Sequence, residues 1–177
     1  MTLSDKIKDV IRDIPDFPKP GIVFKDITPI LSNSKLVTEV VDWFVEKGKQ
    51  DNIDVVVGVE SRGFLFGLLI AEKMGVPFVP VRKQGKLPYK TIAHSYDLEY
   101  GSATVEIHED ALKPGQKVMI HDDLLATGGT AMAAAELVKQ IGGKVCNYTF
   151  LIELGFLNGK ENIGLDNNEA IHSIITY

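Results

Sequence analysis

One cysteine in 177 residues, Cys146, leaves no partner for an internal disulfide and removes every CxxC metal or redox motif from consideration. A chain of this size without disulfides fits a reducing compartment, so a cytoplasmic protein is expected. No stretch approaches the roughly 18–20 apolar residues that span a bilayer. Met1 to Asp13 mixes Asp5, Lys6, Lys8, Asp9 and Arg12 among its apolar residues and lacks the unbroken core of a signal peptide. An excess of positive charge is missing too: 19 Lys and Arg against 24 Asp and Glu leave a net −5. That balance offers no general attraction for nucleic acid or an anionic membrane, and an anionic ligand must be held by local groups. No Gly-Lys pair is followed by Ser or Thr, and no glycines are spaced as GxG, so the Walker A loop and the dinucleotide fingerprint are absent. Gly58 to Gly63 (GVESRG) misses the hydrolase elbow because Val59 stands where its first glycine belongs. The histidines, His94, His108, His121 and His172, have no metal-ligand spacing, and His121 inside an apolar run reads as a packed residue.

What is present is an ordinary globular composition, 45% hydrophobic and 24% charged, in a length that fits one domain. Leu3, Ile7, Val10, Ile11 and Ile14 share a helical face, with Ser4 or Thr2 as N-cap and Pro15 as terminator. Asp16 to Pro29 holds Pro18, Pro20, Gly21 and Pro29 and reads as a structured loop. Leu36 to Val45 repeats the helical period, and Gly48 marks its expected stop. From there strands and helices alternate. Asp54–Val59 is a buried strand, Gly63–Met74 an apolar helix and Pro77–Arg82 a strand, a βαβ unit that predicts parallel pairing. Gln84–Tyr100 is polar, and Ser102–Glu109 alternates as a half-exposed strand, so the two are read as an antiparallel hairpin. Lys117–His121, Thr130–Ile141 and Lys144–Glu153 add a strand, a helix and a strand.

The strongest local signal is Val118 to Ala131, VMIHDDLLATGGTA. It sets Asp122 and Asp123 at the C-terminal end of a strand and Thr127-Gly128-Gly129-Thr130 at the start of a helix. In open α/β sheets that edge is where ligands bind. The glycines expose successive N–H groups, the threonines add hydroxyls and the helix contributes its positive dipole end, which together suit a phosphate. The two carboxylates beside it suit ribose hydroxyls. Taken alone, the acids are a strand end and TGGT a capped turn; the order of strand, two acids, glycine loop and helix is what makes the signal specific.

That run resembles the phosphoribosyl pyrophosphate motif of the type I phosphoribosyltransferases. Phe17–Leu31 (FPKPGIVFKDITPIL), Glu60–Gly67 (ESRGFLFG), Val81–Pro88 (VRKQGKLP), Ser95–Gly101 (SYDLEYG) and Asp122–Thr130 follow the order found in adenine-using members. Lys25 stands where many relatives carry Arg.

The resemblance implies an α/β fold: a central, mostly parallel sheet flanked by helices, an antiparallel lid hairpin at 84–109 and an N-terminal helix and base-binding hood at 1–33, all within one domain over 1–177. It implies transfer of the phosphoribosyl group from phosphoribosyl pyrophosphate to adenine, giving AMP and pyrophosphate. Magnesium would be held by substrate and water rather than by direct side-chain ligation, and the enzyme would be a homodimer. Asp122, Asp123, Ala126, Thr127, Gly128, Gly129 and Thr130 would bind the ribose phosphate. Glu60, Ser61, Arg62, Arg82, Lys83 and Lys86 would meet pyrophosphate, with a cis peptide at Glu60-Ser61. Val23, Phe24 and Lys25 would read adenine, and Glu99, Tyr100 and Arg62 would act in catalysis. Some proteins of this fold bind phosphoribosyl compounds as regulators and do not turn them over, and others use another purine; both readings stay open at this point.

Overall fold

The computed structural model describes residues 1–97, 101–165 and 169–177. It divides into two compact units, Met1–Trp43 and Phe44–Tyr177.

The first unit opens with helix α1 (Leu3–Val10), whose N-terminus is closed by a reciprocal capping box between Thr2 and Asp5. The helix stops at Val10, four residues short of the apolar pattern. Arg12–Pro15 instead forms strand β1, paired antiparallel with β2 (Val23–Asp26). Pro15 biases Ile14 toward extended backbone, and the cross-strand partner Phe24 rewards it. The Pro/Gly-rich stretch thus contains a strand and a short helix, α2 (Thr28–Leu31). Ile7, Ile27, Ile30 and Leu36 are buried. Helix α3 (Ser34–Asp51) runs on through Gly48. Gly48 already belongs to the second unit, where a Cβ on it would collide with the side chains of Met74 and Met119, so this glycine serves close packing and does not end the helix.

The second unit is built on a seven-stranded sheet. Its strands are β3 (Val55–Val59), β4 (Phe78–Lys83), β5 (Thr91–Asp97), β6 (Ser102–His108), β7 (Lys117–Leu125), β8 (Lys144–Glu153) and β9 (Ala170–Thr176), in the spatial order β5-β6-β4-β3-β7-β8-β9. Strands β4, β3, β7, β8 and β9 are mutually parallel, and the β5-β6 hairpin is antiparallel. Helices α4 (Gly63–Met74) and α5 (Gly129–Gln140) cross between parallel strands. Side chains along β3 alternate between them: Val55, Val57 and Val59 share a core cluster with Ala131, Ala134 and Leu137 of α5, whereas Gly58 turns toward α4. The closing strand β9, beyond the last segment with a recognisable pattern, follows a 3-10 turn and the short helix α6 (Gly159–Ile163). No helix among the described residues is long and apolar enough to cross a membrane.

Candidate active site

From β3 the chain crosses through α4 to β4 on one side, and from β7 it crosses through α5 to β8 on the other. The order reverses between β3 and β7, which is where an open parallel sheet leaves a crevice at its carboxyl edge. Two loops border it, Glu60–Arg62 after β3 and Ala126–Gly128 after β7. A cavity of about 420 Å3 lies here, lined by Glu60, Arg62, Lys83, Tyr96, Asp122 and Asp123 among others. A larger one, about 660 Å3, lies at the opposite ends of β7 and β8 beside Asp51, Lys117 and Lys144 and holds none of the motif residues.

The acids lie inside β7, which extends to Leu125, four residues past the expected end of the strand. Their alternate orientation and burial create an electrostatic problem. Burial and the neighbouring Asp123 charge push the Asp122 carboxyl well above the ordinary carboxylate range. Asp123 is raised by burial, against the pull of the Arg62 guanidinium. Arg62 Nε sits 2.9 Å from Asp123 Oδ2, and Asp122 Oδ1 accepts the backbone N–H of Asp123 at 2.8 Å. Gly63 makes this junction possible: a Cβ there would stand 2.8 Å from the His121 carbonyl and 3.1 Å from Asp122 Oδ1.

The peptide Glu60-Ser61 is cis. Arg82 Nε and Nη2 donate to Glu60 at 3.1 and 3.3 Å, and the Lys83 N–H adds a bond of 3.0 Å. Burial works to raise the Glu60 carboxyl, but these donors outweigh it and hold the group below its usual value. Arg82 Nη1 also reaches the Lys86 carbonyl at 3.2 Å. Lys83 reaches the cavity; Arg82 and Lys86 do not line it.

The second loop carries no charge. Gly128 has φ +89°, a conformation that other residues adopt at a cost, and a Cβ on it would lie 2.9 Å from the Gly159 carbonyl. It precedes α5 directly, so the first N–H groups of that helix have no intrahelical acceptor and face the turn. Tyr96 of β5 hydrogen-bonds the Thr130 hydroxyl at 3.0 Å, and Asn162 donates to the Thr127 carbonyl at 2.9 Å.

The phosphoribosyl transferase domain model matches residues 26–155. An adenine phosphoribosyltransferase of Anaeromyxobacter dehalogenans is 50% identical over 175 residues, covering 99% of this chain and 100% of the relative. The crystal structure of adenine phosphoribosyltransferase from Thermoanaerobacter pseudethanolicus aligns with a TM-score of 0.94 at 48% identity, over 99% of this chain and 100% of that one. The Saccharomyces cerevisiae enzyme, complexed with adenine and an imino-altritol bisphosphate, aligns at 0.90 with 41% identity over 98% of each chain. This chain belongs to the adenine phosphoribosyltransferase family.

Within the family frame, the structure brings together in the crevice Glu60, Ser61, Arg62, Lys83, Asp122, Asp123, Ala126 and Thr130. Ala126, Thr127, Gly128, Gly129 and Thr130 line a smaller depression of about 60 Å3 in the turn itself. Val23, Phe24 and Lys25 belong to the first unit, where Phe24 meets Phe17 edge-on at 5.1 Å and Lys25 Nζ pairs with Asp13 at 2.7 Å. Glu99 and Tyr100 lie outside the described residues. Tyr96 falls in the Ser95–Gly101 segment without a role of its own there, and Asn162 lies outside every motif; a tyrosine in a polar hairpin and an asparagine in a polar tail carry no local mark of their partners. His121 is a packed residue. It bonds Thr149 at 3.0 Å and meets Phe44 edge-on, and burial pushes its imidazole down to about 3.

Among the described residues no three His, Cys, Asp or Glu side chains form a metal cage. Asp122 and Asp123, two hard carboxylates at one wall of the crevice, fit a cation that keeps most of its waters and arrives on phosphate oxygens.

Proposed function

We propose that this chain is a purine salvage enzyme that transfers the 5-phosphoribosyl group from phosphoribosyl pyrophosphate to adenine, yielding AMP and pyrophosphate. The observation that carries the reading is one crevice with two unlike loops, a charged one that carries Arg62 and an uncharged glycine turn at Gly128. The substrate has the same two ends. Arg62, with Ser61 and Lys83, takes the pyrophosphate; Arg82 and Lys86 belong to the same basic stretch. Ala126 to Thr130 take the 5′-phosphate, and Asp122 and Asp123 accept from the ribose hydroxyls.

Breaking the bond at ribose C1 builds positive charge on the sugar and negative charge on the leaving pyrophosphate. Arg62 stabilises the second, and the carboxylate pair favours the first. Magnesium, when bound, neutralises part of the pyrophosphate charge, with Asp122 and Asp123 facing its water shell. The β5-β6 hairpin, the lid of this reading, excludes water that would otherwise capture the sugar. By family resemblance Glu99 handles the purine proton and Tyr100 shares in catalysis.

Phe24 stacks on the base while backbone groups of Val23 and Lys25 read its edge. A carbonyl accepts from the adenine amino group and an N–H donates to ring N1; hypoxanthine and guanine invert both contacts. Sites that recognise by buried hydrogen bonds discriminate by up to about 10⁴–10⁵, so adenine is preferred. A homodimer is part of the same proposal: Leu65, Leu68 and Leu69 form an exposed apolar stripe on α4, 42%, 56% and 40% accessible.

The test is incubation with phosphoribosyl pyrophosphate, magnesium and each nucleobase in turn, with detection of nucleotide and pyrophosphate. AMP formation confined to adenine supports the reading. Binding without turnover makes the chain a regulator, and equal use of hypoxanthine removes the hood from base selection.

A further inference from the structure

Glu106 lies on β6, outside every motif singled out in the sequence, and only 4% of it is exposed. A carboxylate is rarely buried so far without dedicated partners. Its Oε1 accepts the backbone N–H groups of Lys86 and Leu87, each at 2.9 Å, and its Oε2 accepts from the Thr91 hydroxyl at 3.3 Å. Burial works to raise this carboxyl, but those bonds, with a further one from the Gly85 N–H, hold it below its ordinary value and therefore ionised. Gly85, with φ +82°, gives the turn the shape in which successive N–H groups converge on one anion. Register partners of Glu106 are Arg82 on β4 and Ala93 on β5, so the carboxylate sits where the strands flanking this turn share a neighbour.

The other side of the turn is held by a second carboxylate. Glu60 accepts the Lys83 N–H and the Arg82 guanidinium, and Arg82 returns a bond to the Lys86 carbonyl. Residues 83–87 are thus clamped between Glu60, which belongs to the crevice, and Glu106, which does not. With the backbone donors engaged by these acids, the side chains of Lys83 and Lys86 remain exposed, and Lys83 lines the crevice.

We propose that Glu106 is a positioning residue for pyrophosphate, an internal anion that folds the 83–87 turn around itself so that Lys83 is presented to the crevice. It touches no substrate and acts through the turn. The inference rests on the reading that the crevice takes phosphoribosyl pyrophosphate. Glutamine has nearly the shape of glutamate but no charge. Its carbonyl oxygen can still accept from Lys86 and Leu87 and its amide can donate to the Thr91 hydroxyl, so Glu106→Gln isolates the charge while Glu106→Ala removes the acceptor as well.

Three readouts test this in Glu106→Gln and Glu106→Ala: calorimetric binding of pyrophosphate with magnesium, the KM values for both substrates, and amide exchange at Lys86 and Leu87. Loss of charge-assisted bonds to the turn is expected to weaken pyrophosphate and raise the KM for phosphoribosyl pyrophosphate by about tenfold or more. The KM for adenine stays within about twofold, and Lys86 and Leu87 lose protection while β3 and β7 keep theirs. Lys83→Ala added to Glu106→Gln should cost less than Lys83→Ala alone, because the two act in series. If Glu106→Ala does not fold, the near-isosteric glutamine variant carries the test. Equal changes in both KM values, or a lower kcat with both unchanged, would assign Glu106 a purely structural role and overturn the proposal. If the unmodified protein binds no pyrophosphate, the functional reading fails and the proposal with it. That result is distinct from tight binding by both unmodified and Glu106→Gln protein, which sinks the proposal alone.

Discussion

At the ends of two neighbouring parallel strands, residues 60–62 carry a full charge at Glu60 and another at Arg62, whereas residues 126–129 carry none. The first loop is held by side chains, Arg62 on Asp123 and Arg82 on Glu60. The second is held by backbone: a left-handed glycine, a carbonyl bonded by Asn162 and the start of a helix. A charged loop makes its strength depend on neighbours that keep each other ionised. A backbone loop depends on shape alone, and one added carbon is enough to spoil it. Substitutions in the two loops should therefore fail in different ways.

Removing Arg62 is expected to be the most damaging change. Arg62→Ala leaves Asp123 buried beside Asp122 without its counter-charge; breaking a buried pair costs about 3–5 kcal/mol, and partial exposure of Arg62 argues for the low end. Turnover should fall by about 10²–10³, as for loss of one transition-state donor. Denaturant titration should also find this variant regaining stability as the pH is lowered. A carboxyl raised in the folded state favours folding below its unfolded value and loses that contribution as pH rises through the folded one.

The same sign gives Asp122→Asn an unusual profile. Both burial and Asp123 oppose ionisation of Asp122, so the neutral isostere should raise the Tm at pH 7. Turnover should nevertheless drop by about a hundredfold, because on the proposed reading the acid pair accepts from the ribose hydroxyls and the amide replaces one acceptor oxygen by a donor. A lower Tm, or undiminished turnover, would contradict the account of the acid pair.

In the uncharged loop, Gly128→Ala meets both the left-handed backbone and the Gly159 carbonyl 2.9 Å from its Cβ. It should cost about 1–2 kcal/mol for the backbone alone and raise the KM for phosphoribosyl pyrophosphate, with no new dependence on pH. Gly129→Val would press on the Tyr96 ring, 3.2 Å from a Cβ at that position, and should act in the same direction. Pronounced pH sensitivity in either variant would break the contrast between the loops.

Phe24→Ala serves as the control outside both loops. Loss of the stacking platform should raise the KM for adenine several-fold, with a small effect on that for phosphoribosyl pyrophosphate, as base–aromatic stacking is worth about 1–3 kcal/mol.

The smallest expected effect is at Glu60. Its carboxyl is held below the ordinary value, so its contribution to stability is present above about pH 4.3 and fades as pH falls through the lower folded value. The Tm curves of the unmodified protein and Glu60→Gln should therefore differ at neutral pH and converge in acid.

Much of the second unit was legible from local pattern. Parallel strands buried on both faces need continuous apolar runs, and VVVGV and VMI supply them. The acids and glycines of DDLLATGGT follow one another along the chain, so the part of the site built by consecutive residues could be read in order. Elements that depend on distant partners left weaker marks. The apolar stripe of α1 continues to Ile14, yet Arg12–Pro15 pairs with Val23–Asp26 because Phe24 and its neighbours offer a strand edge that no helical period reveals. Strand β9, AIHSIIT, is interrupted by His172 and Ser173 and becomes a strand by pairing with β8.

The sequence by itself determined the alternation of strands and helices, the glycine turn and the residue types that, on the proposed reading, hold a phosphate and a pyrophosphate. Only the tertiary structure decided which of those residues are charged, paired or occupied. Arg82, to all appearance a surface cation, is engaged by Glu60; Glu106, to all appearance a solvated acid, is buried around the turn that carries Lys83. Asp122 resists ionisation because the fold removes water from it and sets a second carboxylate beside it. Hydrogen bonding and desolvation act between atoms a few ångströms apart whatever their separation along the chain. Composition and spacing therefore name the groups, and the fold sets their charge states and partners.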